Sequence, residues 1–182
     1  MKSVDNEQVS KIIFYLHIMK KYFNFLISSG IILILFSACA SSKHNASQPL
    51  VNWLSFSQVQ DSLRHHPKKV LVDVYATWCG PCKKMDKKTF ENPDVVKYIN
   101  ENFYAIKFNA ETMDTIFFKS KVFVNSLNKN KTHNLTYELA SIDGRIAFPT
   151  TVLLDQKLDR IKTIGAFLYP ADMLELLHQI NV

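Results

Sequence analysis

Two cysteines three positions apart stand where an apolar run gives way to a lysine-rich segment. Cys79 and Cys82 enclose Gly80 and Pro81, and Trp78 precedes them. Cysteine reacts as the thiolate, and the start of a helix lowers the pKa of a thiol. Pro81 fits the first turn of such a helix, because the N–H that proline lacks would have no partner there. The spacing therefore indicates a reactive pair of thiols.

A disulfide between these two sulfurs would contribute little to stability. The loop-entropy relation gives about 2 kcal/mol for a ring of about four residues, against about 4.7 kcal/mol for a hundred. A bond that stabilises so little is better explained if it is made and broken, so the pair predicts thiol–disulfide exchange. A zinc site is the competing hypothesis, but zinc usually takes four ligands, and the chain has one further cysteine, Cys39.

The chain before the cysteines has the pattern of a buried strand. Residues 70–76 are a near-continuous run of β-branched and apolar side chains, typical of a central parallel strand. Asp73 interrupts that run, and a carboxyl group there is costly unless it is neutral, paired or functional. A solvent-facing position at a strand end is the alternative for Asp73.

The remaining pattern indicates alternating strands and helices. Ser57 is the expected N-cap of a helix over 57–66, and Thr132 that of a helix carrying Leu135 and Leu139. Residues 116–124 are expected to form a hairpin. The other expected elements are a helix ending near 91, a helix capped by Asn92, strands over 103–108, 151–154 and 159–164, and a closing helix from Pro170.

The N-terminal part has the pattern of an export signal. Residues 25–36 form an apolar run that is too short for a comfortable membrane span and is typical of a signal core. Met19, followed by two lysines, would be the translation start, with 1–18 an extension of the gene model. The signal would end at residue 38. Cys39 then resembles the lipidated cysteine of a bacterial lipobox, although Phe36 departs from its usual leucine.

The division that follows is a signal peptide over 1–38, a lipidated cysteine with a polar, flexible tether over 39–50, and a folded domain over 51–182. The chain has 182 residues, which is enough for one domain with its own core. Its formal net charge is +6. It has no arginine-rich run and no basic stripe with interleaved aromatic side chains. Nucleic acid is therefore not an expected partner.

Five landmarks together resemble thioredoxin over residues 68–182. The run from Trp78 to Lys83 is identical to the thioredoxin motif, and Asp73 stands six residues before Cys79. Lys107 matches the lysine that approaches this acid, Pro149 matches the cis-proline that faces the cysteines, and Gly165 matches a glycine near the last helix. The resemblance implies a three-layer α/β fold, with a central mixed sheet flanked by helices and an insertion around 111–140.

The resemblance also implies a mechanism without cofactor or metal. Cys79, exposed at the helix start, would attack a substrate disulfide, and Cys82, more buried, would then release the reduced substrate. Asp73 would help to deprotonate Cys82 through water, and Lys107 would tune Asp73. Substrate would lie along a surface made by Trp78, Gly80, Pro81, Phe148 and Pro149, although a purely structural role is the alternative for Trp78.

The insertion and Phe148 depart from plain thioredoxin and are more similar to exported relatives of thiol:disulfide interchange reductases. This implies a monomeric reductase on the periplasmic side of a bacterial cell envelope, anchored to the membrane by lipid. Its partners would be disulfide-containing exported proteins and a membrane-embedded electron donor. The alternatives are an oxidase or isomerase with the same cysteines, a copper chaperone that adds His133 from a polar loop, and a fold used for binding alone.

Overall fold

The computed structural model describes residues 14–22, 49–125 and 132–181 of the chain. The chain divides into two compact units, residues 1–47 and 48–182. In the first unit, residues 14–22 form a helix (α1). The expected signal core, Cys39 and most of the tether lie outside the described residues. None of the helices within the described ranges combines the length and the apolar character that a membrane span needs.

The second unit is built on a five-stranded mixed sheet with the order β1-β3-β2-β6-β7. Strand β2 is central, pairing parallel with β3 and antiparallel with β6, so the expectation of a parallel strand holds on one side only. The strands of this sheet are β1 (Trp53–Leu54), β2 (Lys69–Tyr75), β3 (Phe103–Asn109), β6 (Thr150–Leu154) and β7 (Arg160–Ile164).

Helices cover both faces of the sheet and give the expected three layers. They are α2 (Phe56–Leu63), α3 (Gly80–Met85), α4 (Pro93–Asn102), α5 (Asn134–Ala140) and α6 (Pro170–Asn181). Alternate side chains of β2 enter two separate cores: Val70, Val72 and Val74 pack with α2 and α5, whereas Leu71 packs with α3, α4 and α6. Burial on both faces explains the continuous apolar run in the sequence.

Two helix starts differ from the sequence prediction. Ser55, not Ser57, is the N-cap of α2, where its hydroxyl accepts the N–H of Gln58 and the Gln58 side chain accepts the N–H of Ser55. This reciprocal pair is a capping box, in which glutamine stands three residues after the cap. His133, not Thr132, caps α5, because its Nδ1 accepts the N–H of Leu135 at 3.2 Å.

The expected hairpin is confirmed in the segment after β3. It consists of β4 (Ile116–Phe118) and β5 (Lys121–Phe123), joined by two residues. Lys119 and Ser120 both have positive φ, 50° and 63°, as a type I′ turn requires. Apolar residues of the hairpin pack on the α2 core through Phe118, which lies edge-on to Phe56 with ring centroids 5.7 Å apart.

The helix after the cysteines changes its winding. It is an α-helix to Met85 and then a π-helix over Asp86–Phe90, a change that the sequence did not predict. Such a bulge shifts the hydrogen-bond ladder by one residue and is often found at functional sites. Here Met85 and Phe90 enter the core beneath the helix, and Asp86 begins the π segment beside Lys107.

Candidate active site

The two cysteines are joined in a disulfide at the start of α3. Cys79 is the N-cap of the helix, with extended backbone angles of −74° and 103°, and its Sγ accepts the N–H of Cys82 at 3.1 Å. Pro81 lies in the first turn, as its missing N–H allows. The free N–H groups and the dipole of a helix start favour negative charge, so a thiolate formed on Cys79 would be stabilised here.

Both sulfur-bearing residues are buried, which corrects the expectation of an exposed Cys79. Cys79 is 2% exposed and Cys82 is 3% exposed in the disulfide form. The side chains of Tyr75, Ala76 and Phe148 pack around them and account for the difference. Gly80 and Pro81 between the cysteines are exposed, so the backbone of the motif, rather than its sulfur atoms, meets the solvent.

Trp78 directly precedes Cys79, and its side chain is held in place by one carboxylate. Its side chain is 68% exposed, and its indole Nε1–H donates to Glu111 Oε1 at 3.1 Å. The other oxygen of Glu111 accepts the N–H and the hydroxyl of Thr77, at 3.2 and 2.9 Å. A single glutamate thus fixes the two residues that lead into the motif.

Phe148 packs beside the disulfide and is followed by Pro149, which is buried. The peptide bond between them is cis. Phe148 is half-buried against the two cysteines and meets Trp78 edge to face, with ring centroids 5.8 Å apart. Gly165 lies behind this loop, and a Cβ there would approach the Cβ of Ala147 to 3.2 Å, which explains the absence of a side chain at that position.

Asp73 is buried beneath the motif and is paired with Lys107. The register of β2 and β3 sets the two residues side by side, and Lys107 Nζ donates to Asp73 Oδ2 at 3.0 Å. Asp73 lies two residues after Leu71 in β2 and therefore on the same face of the sheet. Leu71 packs against α3, so the carboxyl group of Asp73 lies on the face that α3 covers. Burial raises the pKa of Asp73 to about 6, although the charge of Lys107 opposes the shift. The carboxyl group can therefore gain or lose a proton near neutral pH.

Lys107 bridges two acids inside a ring of aromatic side chains. Besides Asp73 it binds Asp86 Oδ1 of the π segment. Its Nζ lies 5.1 Å from the ring centroids of both Trp53 and Tyr75, as in cation–π contacts. Burial by itself would lower the pKa of Lys107, but the carboxylates of Asp73 and Asp86 raise it above its ordinary value. The lysine therefore stays charged, and its charge favours the ionised form of Asp73 against the effect of burial.

Two residues of this site, Asp86 and Glu111, were not among the predicted ones. Asp86 follows Cys82 by four positions, about one helical turn, and this spacing was a signal that it could share the environment of the cysteines. Glu111 gave no such signal, because it lies 33 residues from Trp78 and the two meet only in the folded chain.

His133 lies in a different setting from the polar loop that was expected. It is fully buried, edge-on to Phe108, and both ring nitrogens are used: Nδ1 caps α5, and Nε2 lies 3.0 Å from the carbonyl oxygen of Asp114. The copper hypothesis required this histidine to be free to join the cysteines. Within the described ranges, no three His, Cys, Asp or Glu side chains are grouped to hold a metal ion.

A family model described as a thioredoxin-like domain matches residues 56–181, which is more than half of the chain. The thiol:disulfide interchange protein DsbD of Campylobacter jejuni is 29% identical over 72 residues, covering 40% of this chain and 12% of that protein. Thioredoxin Y from the chloroplast of Oryza sativa is 37% identical over 76 residues, covering 36% of this chain and 45% of that protein. The match therefore spans less than half of each relative.

A solved structure shows the same fold at low sequence identity. The thioredoxin of Thermus thermophilus superposes with a TM-score of 0.53 at 16% identity, covering 72% of this chain and 88% of that one. The central mixed sheet and its flanking helices are thus confirmed as a known arrangement.

Proposed function

The chain belongs to the thioredoxin-like domain family, and we propose that it is a thiol–disulfide oxidoreductase that reduces disulfides in exported proteins. The observation that carries this proposal is the Cys79–Cys82 disulfide at a helix start, set above a buried carboxyl group that titrates near neutral pH. A disulfide built for stability alone would need neither feature.

The reaction consists of two exchanges that balance within the pair. In the dithiol form, the thiolate of Cys79 attacks one sulfur of the substrate disulfide, and the other substrate sulfur leaves as a thiolate. Cys82 then attacks the Sγ of Cys79, breaks the mixed disulfide and releases the second substrate thiolate. The substrate gains two electrons, and the protein ends in the disulfide form that the structure shows.

Asp73 takes the proton that Cys82 must lose before the second exchange. Its carboxyl group lies on the sheet face beneath α3, the helix whose first turn carries Cys82. A carboxyl group with a pKa of about 6 is ionised often enough to accept a proton and releases it readily afterwards. Lys107, held by both Asp73 and Asp86, prevents the buried carboxyl group from remaining protonated.

The substrate lies on the surface formed by Trp78, Gly80, Pro81, Phe148 and Pro149. Trp78, Gly80 and Pro81 are exposed around a disulfide that is itself buried. A protein substrate can cover this surface and reach Cys79 once the side chains of Phe148 and Trp78 move aside. Gly80 presents no side chain, and a Cβ at that position would meet no atom within 4 Å, so a partner can approach the backbone there.

The protein works outside the cytoplasm, on the periplasmic side of a bacterial envelope, held by lipid on Cys39. The export pattern over 1–38 and the polar tether over 39–50 support this location. A reductant there needs electrons from across the membrane, so its donor is a membrane-embedded protein. The relationship to a thiol:disulfide interchange protein supports the same assignment.

Insulin reduction by the full chain with dithiothreitol tests the activity. The wild-type chain should precipitate the insulin B chain, and Cys79→Ser should not. A redox titration with glutathione then separates reductase from oxidase: a potential near about −270 mV supports a reductase, whereas one near about −120 mV shows an oxidase. Radiolabelled lipid that fails to incorporate at Cys39 would contradict the anchor while leaving the activity intact.

A further inference from the structure

Thr151 stands directly beside Asp73 in the middle of the sheet. β2 and β6 are antiparallel, and their register sets Asp73 opposite Thr151, just as the β2–β3 register sets Asp73 beside Lys107. Residues opposite each other in an antiparallel pair point to the same face, with Cβ atoms about 4.5–5.5 Å apart. Lys107, Asp73 and Thr151 therefore form one row across three strands, on the face that α3 covers.

Both Asp73 and Thr151 carry a buried oxygen without a partner. Asp73 Oδ1 and Thr151 Oγ1 have no hydrogen-bond partner among the residues that the structure describes, and their side chains are 2% and 1% exposed. A buried polar atom left unpaired is costly and therefore rare in folded proteins. These two atoms complement each other, because a hydroxyl group can donate and a carboxylate oxygen can accept.

The neighbouring threonine shows that this pairing is particular to Thr151. Thr150 is equally buried, but its hydroxyl donates to the carbonyl oxygen of Ala147 at 2.7 Å. Its side chain points to the opposite face of the strand, because successive residues of a strand alternate. Of the two threonines, only Thr151 has a hydroxyl group that is available to donate a hydrogen bond to Asp73.

We propose that Thr151 is a positioning residue for the proton on Asp73: its hydroxyl donates a hydrogen bond to Oδ1, directly after rotation of the side chain or across one bound water. This role rests on the proposed function of Asp73 as the base for Cys82. Lys107 holds Oδ2 and Thr151 holds Oδ1, so the carboxylate is supported on both oxygens.

The hydroxyl group favours the ionised form of Asp73. A hydrogen bond to a charged acceptor is stronger than one between neutral groups, so the bond to the carboxylate outweighs the bond to the protonated acid. Without it, Asp73 would hold its proton to higher pH and would less often be free to accept one from Cys82. Thr151 thus extends the pH range in which the second exchange is fast.

The test is the titration of Asp73 in the full chain, followed by the ¹³C resonance of its carboxyl carbon and assigned with Asp73→Asn. Thr151→Val removes the hydroxyl group at nearly constant shape and should raise the pKa of Asp73 by about one pH unit. Thr151→Ser keeps the hydroxyl group and should titrate as the wild type does. Thr136→Val removes a buried hydroxyl group from α5, on the opposite side of the sheet, and should leave the titration unchanged.

An unchanged titration in a folded Thr151→Val chain would overturn the proposal. If that variant does not fold, the NMR signal of the Thr151 hydroxyl proton in the wild-type chain tests the proposal instead. A hydrogen-bonded hydroxyl proton should exchange slowly with water, and its chemical shift should follow the titration of Asp73. Rapid exchange of this proton would refute the hydrogen bond. Neither measurement uses substrate. A chain that fails to reduce insulin would therefore refute the proposed function and leave the titration result standing.

Discussion

Glu111, the second residue after the end of β3, accepts a hydrogen bond from Trp78, and this contact joins the segment that carries the hairpin to the residues beside the disulfide. One carboxylate accepts three hydrogen bonds, from the indole of Trp78 and from the N–H and hydroxyl of Thr77. Trp78 in turn packs edge-on against Phe148. The cover over the buried sulfurs is therefore a linked set of side chains, and loosening one link should expose them.

Glu111→Ala should make the cysteines of the reduced chain more accessible. Loss of the three hydrogen bonds frees Trp78, so alkylation of Cys79 by iodoacetamide should be several-fold faster at constant pH. Mass spectrometry of quenched samples gives the rate. Glu101→Ala, which removes an exposed carboxylate from α4, is the matched control. Equal rates in the wild type and Glu111→Ala would show that the glutamate does not hold the cover.

Asp73 should destabilise the folded chain as the pH rises through the interval from its ordinary pKa of 3.8 to its folded pKa of about 6. In that interval the folded state binds more protons than the unfolded state, so the free energy of unfolding falls with increasing pH. Asp73→Asn should remove this slope and be more stable at pH 7 by about 2–3 kcal/mol. Urea titrations between pH 4 and pH 8 measure it.

The control for this slope is Asp159→Asn. Lys119 lowers the pKa of the exposed Asp159, so its contribution to stability has the opposite sign and is lost as the pH falls. That variant should retain the decrease in stability between pH 4 and pH 6. A wild-type chain whose stability is flat over this range would contradict the raised pKa of Asp73.

Lys107→Met should shift the pH dependence of disulfide reduction upwards. The ammonium group holds Asp73 and Asp86, and its removal leaves a buried carboxyl group without its cation. The pKa of Asp73 should rise by at least about one pH unit, because an opposite charge at this distance typically lowers a carboxyl pKa by one to three. The acid limb of the kcat/KM profile for insulin reduction reports the change.

Lys97→Met, an exposed lysine on α4, controls for the loss of a positive charge from the domain. Its profile should coincide with that of the wild type. If Lys107→Met lowers kcat/KM equally at every pH, its role is structural and the coupling to Asp73 is wrong.

His133→Leu should destabilise the domain by about 2–4 kcal/mol, since it leaves the buried N–H of Leu135 and the carbonyl oxygen of Asp114 without the imidazole that pairs with both. His133→Asn should recover part of the loss, because asparagine is a strong N-cap but does not reach Asp114. Urea unfolding gives the difference. The redox potential should be the same in all three chains, and a changed potential in His133→Asn would place the histidine in the active site after all.

The reactive residues of the site could be predicted from local sequence, but the side chains that bury the disulfide could not. The cysteine spacing, Pro81 and the acid within an apolar strand are local features, and they placed Cys79, Cys82 and Asp73 correctly in the fold. Lys107 was predicted from the resemblance to thioredoxin and not from a local pattern, and it does contact Asp73. Glu111 and the burial of Cys79 depend on contacts across tens of residues, which a pattern of neighbours does not contain.

His133 shows how a local pattern misleads. It follows a run of lysines and asparagines, whose composition indicates an exposed loop. Its burial depends on Phe108 and on the carbonyl oxygen of Asp114, both brought to it by the folding of β3 and the segment after it. The register of β2 with β6 could not be predicted from neighbouring residues either, so the position of Thr151 opposite Asp73 became apparent only in the fold.

The burial of both sulfurs has a kinetic consequence. Thiol–disulfide exchange requires the attacking thiolate to reach a sulfur atom along the S–S axis, so access limits the rate. A disulfide whose cysteines are 2% and 3% exposed is reached slowly by small thiols that diffuse past it. A partner that displaces Trp78 and Phe148 gains that access only while it is docked. Electrons should therefore pass between proteins that fit this surface and leak little to the surrounding medium.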